Sequence, residues 1–177
     1  QPVFKRTSVE DVVNQLLSAE VVGFSLYVWN EQISLEIIRQ LKKQNPKVYI
    51  ICGGPQVPDR AESFLRKNPG IDIAVHGEGE RTFFKLLEIF PSREINEISG
   101  VSKIDASGGF YSNPKADRTK DLATIPSPYL SGVFDDLVST SDEEWLVLWE
   151  TNRGCPFQCT FCDWGSAIAD RVYRFDM

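Results

Sequence analysis

Val48-Tyr49-Ile50-Ile51-Cys52-Gly53-Gly54-Pro55 decides how the first hundred residues fold. Five apolar, strand-favouring residues stand in a row with no polar alternation. Such a run fits a strand covered on both faces, as in a buried parallel sheet. The Gly-Gly-Pro that follows stops the strand in a tight turn, where glycine lets backbone approach a bulky ligand closely. Upstream, Val21-Val22-Gly23-Phe24-Ser25-Leu26-Tyr27-Val28 reads the same way, as a strand covered on both sides. Between the two, Ile33, Ile37, Ile38 and Leu41 have helical spacing, and Asn45-Pro46 ends that helix. Ahead of them, Thr7-Ser8 followed by Glu10-Asp11 is a helix start, with Val9, Val12, Val13, Leu16 and Leu17 on one face.

The alternation continues downstream. Residues 59–67 are helical in pattern, Asn68-Pro69-Gly70 is a turn, and Ile71-Asp72-Ile73-Ala74-Val75 is a third strand. His76-Gly77-Glu78-Gly79-Glu80 leads into a helix expected to turn Phe83, Phe84, Leu87 and Phe90 inward. Val101-Ser102-Lys103-Ile104 is expected as an edge strand. Alternating strands and helices predict an α/β domain with parallel strands and right-handed crossovers, an open sheet of the doubly wound type. Ligands of such sheets sit beyond the carboxyl ends of the strands. Three loops fall there, and they supply the candidate contacts Ser25, Leu26, Tyr27, Gly53, Gly54, Pro55, Gly77, Glu78 and Gly79. Each loop alone is an ordinary strand-to-helix turn; their coincidence at one sheet edge points to a ligand. Tyr27 and Trp29 could line a large planar ligand or simply cap the sheet.

Residues 105–144 lack periodicity and carry Ser107-Gly108-Gly109, Asn113-Pro114 and Pro126-Ser127-Pro128, so they read as a linker with little structure of its own. Trp145-Leu146-Val147-Leu148-Trp149 is expected as a buried strand delivering Cys155-Pro156-Phe157-Gln158-Cys159-Thr160-Phe161-Cys162. Three thiolates spaced Cys-x3-Cys-x2-Cys suit three irons of a four-iron cluster and leave one iron open. A zinc site completed by Cys52 or His76 is the alternative, though no second cysteine pair is present. Cys52 ends a buried strand and reads as core; His76 reads as a polar residue at a strand end. Four cysteines, three of them clustered, fit metal binding better than a disulfide framework. The net charge of −6 over 177 residues argues against a nucleic-acid surface, and no apolar run or leader pattern marks a membrane or secreted protein. A cytoplasmic protein is expected.

Arg153-Gly154-Cys155-Pro156-Phe157-Gln158-Cys159-Thr160-Phe161-Cys162 resembles the signature of the radical S-adenosylmethionine (radical SAM) enzymes. Val22-Gly23-Phe24-Ser25, Cys52-Gly53-Gly54-Pro55 and His76-Gly77-Glu78-Gly79-Glu80 resemble the cobalamin-binding domain that precedes it in one branch, and Ile125-Pro126-Ser127-Pro128-Tyr129-Leu130 resembles that branch's linker. The resemblance implies a flavodoxin-like (Rossmann-type) cobalamin-binding domain at 1–104, a linker at 105–144, and at 145–177 the first strand and cluster loop of a truncated radical SAM barrel. It implies three cofactors: a 4Fe-4S cluster on Cys155, Cys159 and Cys162, S-adenosylmethionine, and cobalamin. Phe161 is implied as a backbone contact to adenine. The implied activity is that of a methyltransferase generating a 5′-deoxyadenosyl radical and using methylcobalamin, on a small-molecule or peptide substrate, with a flavodoxin or ferredoxin as electron donor. A cobalamin-binding module and an iron–sulfur electron-transfer or sensing protein are the alternatives. The chain lacks the Asp-x-His-x-x-Gly motif, so cobalt is expected to have no histidine ligand. The family's barrel continues beyond the cysteine loop, and its first strand and helix precede the segment that starts here. The chain is therefore expected to be an inactive piece of a larger enzyme, with a seam in its sheet.

Overall fold

The computed structural model describes all residues except 1, 4, 6, 91, 93, 141–143, 156, 158, 162–171 and 175–177. It divides into two compact units, Gln1–Arg118 and Thr119–Met177. Among the described residues no helix is long and apolar enough to cross a membrane.

The first unit runs α1 (Val9–Leu16), β1 (Val21–Ser25), α2 (Glu31–Gln44), β2 (Tyr49–Gly53), α3 (Glu62–Lys67), β3 (Ile73–Val75), α4 (Gly79–Glu88), β4 (Val101–Ile104) and β5 (Phe110–Ser112). The five strands form one sheet in the order β1-β2-β3-β4-β5. Helix α1 starts as its sequence predicts: the Ser8 hydroxyl oxygen accepts the Asp11 backbone N–H at 3.1 Å. This cap satisfies one of the N–H groups that a helix start leaves without a partner.

Strand β2 is covered on both faces, and its side chains alternate between two cores. Ile50 and Cys52 join Val13, Ile38, Leu41 and Leu65 on one side. Tyr49 and Ile51 join Ile73, Val75, Leu86 and Val101 on the other. The amino ends of β2 and β3 are tied to α2 by one carboxylate. Asp72 Oδ2 accepts from Lys42 Nζ and from the Ile50 N–H, both at 2.7 Å.

Several expectations need correction. The sheet is mixed: β1, β2 and β3 are parallel, whereas β3–β4 and β4–β5 are antiparallel. The cause lies in residues 89–100, which carry the chain back to the carboxyl end of β3. There Gly100, at φ +72, turns it into β4, and the His76 N–H donates to the Gly100 carbonyl at 2.8 Å. A strand entered from that end must run antiparallel. Strand β4 is consequently interior, and β5 takes the edge. Residues 105–112 are therefore a hairpin, not linker, and the sheet unit runs past the expected boundary at 104 to Arg118. The Asp105 carboxylate closes the hairpin by accepting from the Ser107 and Gly109 backbone N–H groups, both at 2.8 Å.

The expected seam is absent, because β1 pairs with β2 along its whole length, Val21 to Ser25. Instead β1 is the other edge. It is only half covered: Val22 is buried, but Gly23 and Ser25 are exposed. Helix α4 also presents a different face. Thr82 and Leu86 are buried, with Ile89 and Phe90 packed beside them; Phe84 and Leu87 are exposed, and Phe83 is partly exposed with its ring lying against Gly23 of β1. Positions 82, 86, 89 and 90 follow the i, i+4, i+7, i+8 spacing of a helical stripe. On α2, Ile33 likewise lies outside the buried stripe formed by Ser34, Ile37, Ile38 and Leu41.

In the second unit, residues 122–124 form a 3-10 turn, α5 spans Asp135–Ser139, and β6 (Asn152–Arg153) pairs antiparallel with β7 (Tyr173–Arg174). The strand expected at 145–149 is not formed. Leu146, Leu148 and Trp149 are 86%, 81% and 75% exposed. A strand is held by ladder bonds and by side chains packed against a neighbour; among the described residues, 145–149 have no strand partner.

Candidate functional site

The loops after β1, β2 and β3 lie side by side because those three strands are parallel and adjacent. The first two are fastened together. The Leu26 N–H donates to the Gly53 carbonyl at 2.7 Å, and the Gln56 N–H donates to the Leu26 carbonyl at 3.1 Å. Leu26 is fully buried and anchors its loop in the core. Asn30 shapes the same loop: its Oδ1 accepts the Tyr27 N–H at 2.7 Å, and its Nδ2 donates to the Ser25 carbonyl at 2.9 Å. The sequence reading gave Asn30 no role in shaping this loop. The signal was there, since asparagine side chains commonly bond nearby backbone in turns.

Beyond these anchors, Tyr27 and Trp29 stack with ring centroids 4.6 Å apart and planes within 12°. Trp29 is 76% exposed. A stacked aromatic pair presented to solvent at the end of a sheet is the kind of wall that a flat ligand covers.

The two flanking loops use glycine for different reasons. Gly54 has φ +99, and a Cβ there would stand 2.6 Å from the Leu26 carbonyl oxygen. Its glycine is demanded by the fold. Gly79, the first residue of α4, has nothing within 4 Å of where a Cβ would be. Nothing in the folded chain requires glycine at that point, and glycine weakens a helix. An open approach to the backbone at 77–79 is what remains. Pro55 lies exposed at the second loop, and Gly53 makes only ordinary contact with Val75.

Glu78 is the cap position of α4 but makes no capping bond with its side chain. Its Oε1 lies 3.7 Å from Arg118 Nε, and both side chains are largely covered. Behind the loop, His76 Nε2 is 2.8 Å from Ser102 Oγ, and both residues are buried. His76 Nδ1 is buried with no partner among the described residues. Burial pushes the ring's pKa down; the Asp59 carboxylate opposes this and Lys115 adds to it.

Of the cysteine loop, Cys155 is half-buried and Cys159 exposed, and both are free thiols. Phe161 is 91% exposed. Cys162 lies outside the described residues. Among those described, no group of three His, Cys, Asp or Glu side chains is gathered for a metal. Cys52 is fully buried in the sheet core, and burial pushes its thiol pKa up. A thiol held protonated is a poor metal ligand.

Comparison with known proteins follows the same division. The profile of the B12 binding domain matches residues 3–87, a span holding all three loops at the sheet's carboxyl edge. Over 181 aligned residues, 99% of this chain, the sequence is 39% identical to the cobalamin-dependent radical SAM methyltransferase TokK of Streptomyces tokunonensis. The chain belongs to the cobalamin-binding-domain radical SAM family. It is also 38% identical to the 2-(S-pantetheinyl)-carbapenam-3-carboxylate methyltransferase of Streptantibioticus cattleyicolor, again over 99% of the chain. The chain spans 26% of the length of each of these relatives. The fold is shared with the cobalamin-dependent S-adenosylmethionine radical enzyme OxsB, at TM-score 0.67 and 22% identity over 88% of this chain and 22% of that one. It is also shared with the radical S-adenosylmethionine methyltransferase TsrM of Kitasatospora setae, at TM-score 0.61 and 15% identity over 94% of this chain and 35% of that one. As a member of this family, the chain carries its glycine loops at the sheet's carboxyl edge and its cysteine loop in the second unit.

Proposed function

We propose that this chain holds cobalamin and begins the cluster-bearing part of a radical SAM methyltransferase. The observation that carries the reading is the sheet edge: Trp29, stacked on a half-buried Tyr27, is exposed to solvent, and Gly79 has open space where the fold asks for no glycine. These features fit a large planar ligand that meets an aromatic wall and approaches backbone closely.

In this reading Ser25, Leu26, Tyr27, Gly53, Gly54, Pro55, Gly77, Glu78 and Gly79 border the corrin. Leu26 and Gly54 fix the shape of the wall. Tyr27 and Trp29 cover one face and exclude water from it. Glu78 would offer its carboxylate as an acceptor to the edge of the corrin. His76 is not a cobalt ligand, since its Nε2 is engaged with Ser102 and the ring is buried. Cys155, Cys159 and Cys162 would give three thiolates to a 4Fe-4S cluster, and Phe161 would lie against the adenine of S-adenosylmethionine. When bound, these cofactors supply one-electron reduction of a sulfonium and transfer of a methyl group; the protein's share is to position them and keep water away.

The substrate is a small molecule in this proposal. Because one relative is named for a carbapenam carboxylate bearing a pantetheinyl thioether, that chemical class is the first to assay. A one-electron donor of the flavodoxin or ferredoxin kind would serve the cluster. The test is the ultraviolet–visible spectrum of the full-length protein, purified without oxygen from cells supplied with cobalamin. Corrin bands together with a cluster shoulder support the reading. A cluster shoulder without corrin bands removes the cobalamin half, and absence of both removes the whole.

A further inference from the structure

Residues 113–118, which read from sequence as linker, are built into the sheet unit as a strap beside the glycine loop that follows β3. The Asn113 N–H donates to the Val101 carbonyl at 2.9 Å, and its Nδ2 donates to the carbonyls of Ile95 and Ile98 at 2.6 and 2.7 Å. The Gly100 N–H donates to the Pro114 carbonyl at 2.7 Å. A Cβ on Gly100 would stand 3.1 Å from both the Ala116 Cβ and the His76 carbonyl oxygen, so strap, turn and strand end are in close contact. The strap ends at Arg118, whose Nε is 3.7 Å from the Glu78 carboxylate. Glu78 is flanked by Gly77 at φ +76 and by Gly79, neither of which has anything within 4 Å of a would-be Cβ. Glutamate is a weak choice to cap a helix, and here its side chain does not cap α4. Its carboxylate is turned to the strap instead.

We propose that Arg118 is a positioning residue for the cofactor loop: by holding the Glu78 carboxylate from the strap, it sets residues 77–79 in the shape that receives the corrin rim. This rests on the cobalamin reading above. It adds to the site a residue some thirty positions beyond the span matched by the B12 binding domain. A loop bearing two glycines has little rigidity of its own. A partly covered ion pair to a strap fastened by backbone bonds supplies it, and an ordered loop loses less freedom when ligand binds.

The experiment is equilibrium titration of cobalamin-free, full-length protein with hydroxocobalamin, read by corrin absorbance, for wild type, Arg118→Gln, Arg118→Lys, Glu78→Gln and the double variant Arg118→Gln/Glu78→Gln. Thermal unfolding without cobalamin is the control. The expected result is about five-fold weaker binding for Arg118→Gln at low salt, partial recovery in Arg118→Lys, and a double variant no weaker than the weaker single. Melting temperatures should change little. A purely structural role would lower the melting temperature and leave affinity unchanged at temperatures where the protein is folded. Wild-type affinity in Arg118→Gln, or additive losses in the double variant, would overturn the inference. Failure of the wild type to bind hydroxocobalamin would instead overturn the cofactor reading on which it rests.

Discussion

Gly54 and Leu26 meet so closely that a methyl group on Gly54 would stand 2.6 Å from the Leu26 carbonyl oxygen and 2.8 Å from its nitrogen. Both obstacles are backbone, and Leu26 is itself locked by its bonds to Gly53 and Gln56. Neither can yield cheaply, and φ +99 adds strain for any residue with a Cβ. Gly54→Ala is expected to destabilise the protein by about 2–3 kcal/mol, measured by denaturant unfolding.

Gly79→Ala should act in the opposite sense on the fold. The site is open and its φ is not in the left-handed region, so alanine fits and favours the helix by about 0.5 kcal/mol. Cobalamin retention should nevertheless fall, because the added methyl occupies the space left for the ligand. Cobalt content per chain after purification, set beside the melting temperature, separates the two effects. Unchanged cobalt content would remove Gly79 from the site.

His76 is the single histidine of the chain, and it makes stability depend on pH in a window of its own. Burial lowers its pKa in the folded state, with Asp59 raising and Lys115 lowering it further. The unfolded chain therefore binds the proton more readily. Stability is full above the ordinary histidine value of about 6.5 and falls as pH drops below it, with a slope of at most about 1.4 kcal/mol per pH unit. The carboxylates with lowered values behave separately: Asp11 through the Ser8 hydroxyl, Glu36 through the Arg39 guanidinium, and Asp105 through the Ser107 hydroxyl. Their stabilisation is lost only as pH falls through the carboxylate range. Unfolding free energies between pH 5 and 7 should slope in the wild type and be flat in His76→Asn.

The cysteines should divide by place. Cys52→Ser puts a hydroxyl into the apolar core and is expected to cost about 1–3 kcal/mol in stability without changing iron content. Alanine at Cys155, Cys159 or Cys162 should abolish iron and sulfide uptake on anaerobic reconstitution while leaving the melting temperature of the sheet unit unchanged.

The parallel core was legible because β2 carries a continuous apolar run, and glycine loops end β2 and β3. The placement of the three loops at one sheet edge was legible for the same reason. Periodicity failed at α4, where the aromatic residues Phe83 and Phe84 outweigh Thr82 on any hydrophobicity scale, yet Thr82 is the residue turned inward. It failed again at 105–118. There the segment is held by backbone bonds and by Asn113, Asp105 and Arg118, polar contacts that leave no apolar rhythm in the sequence. At 145–149 the composition is that of a strand, but composition cannot supply the neighbouring strand that such a segment pairs with.

The central claim is that the aromatic wall and the glycine loops form one corrin site. Its most direct test is fluorescence titration of the full-length, cobalamin-free protein with hydroxocobalamin, comparing wild type with Trp29→Phe. The account predicts saturable quenching at about one cobalamin per chain, with most of the signal lost when Trp29 is replaced. No saturable quenching, or quenching indifferent to Trp29, would contradict it.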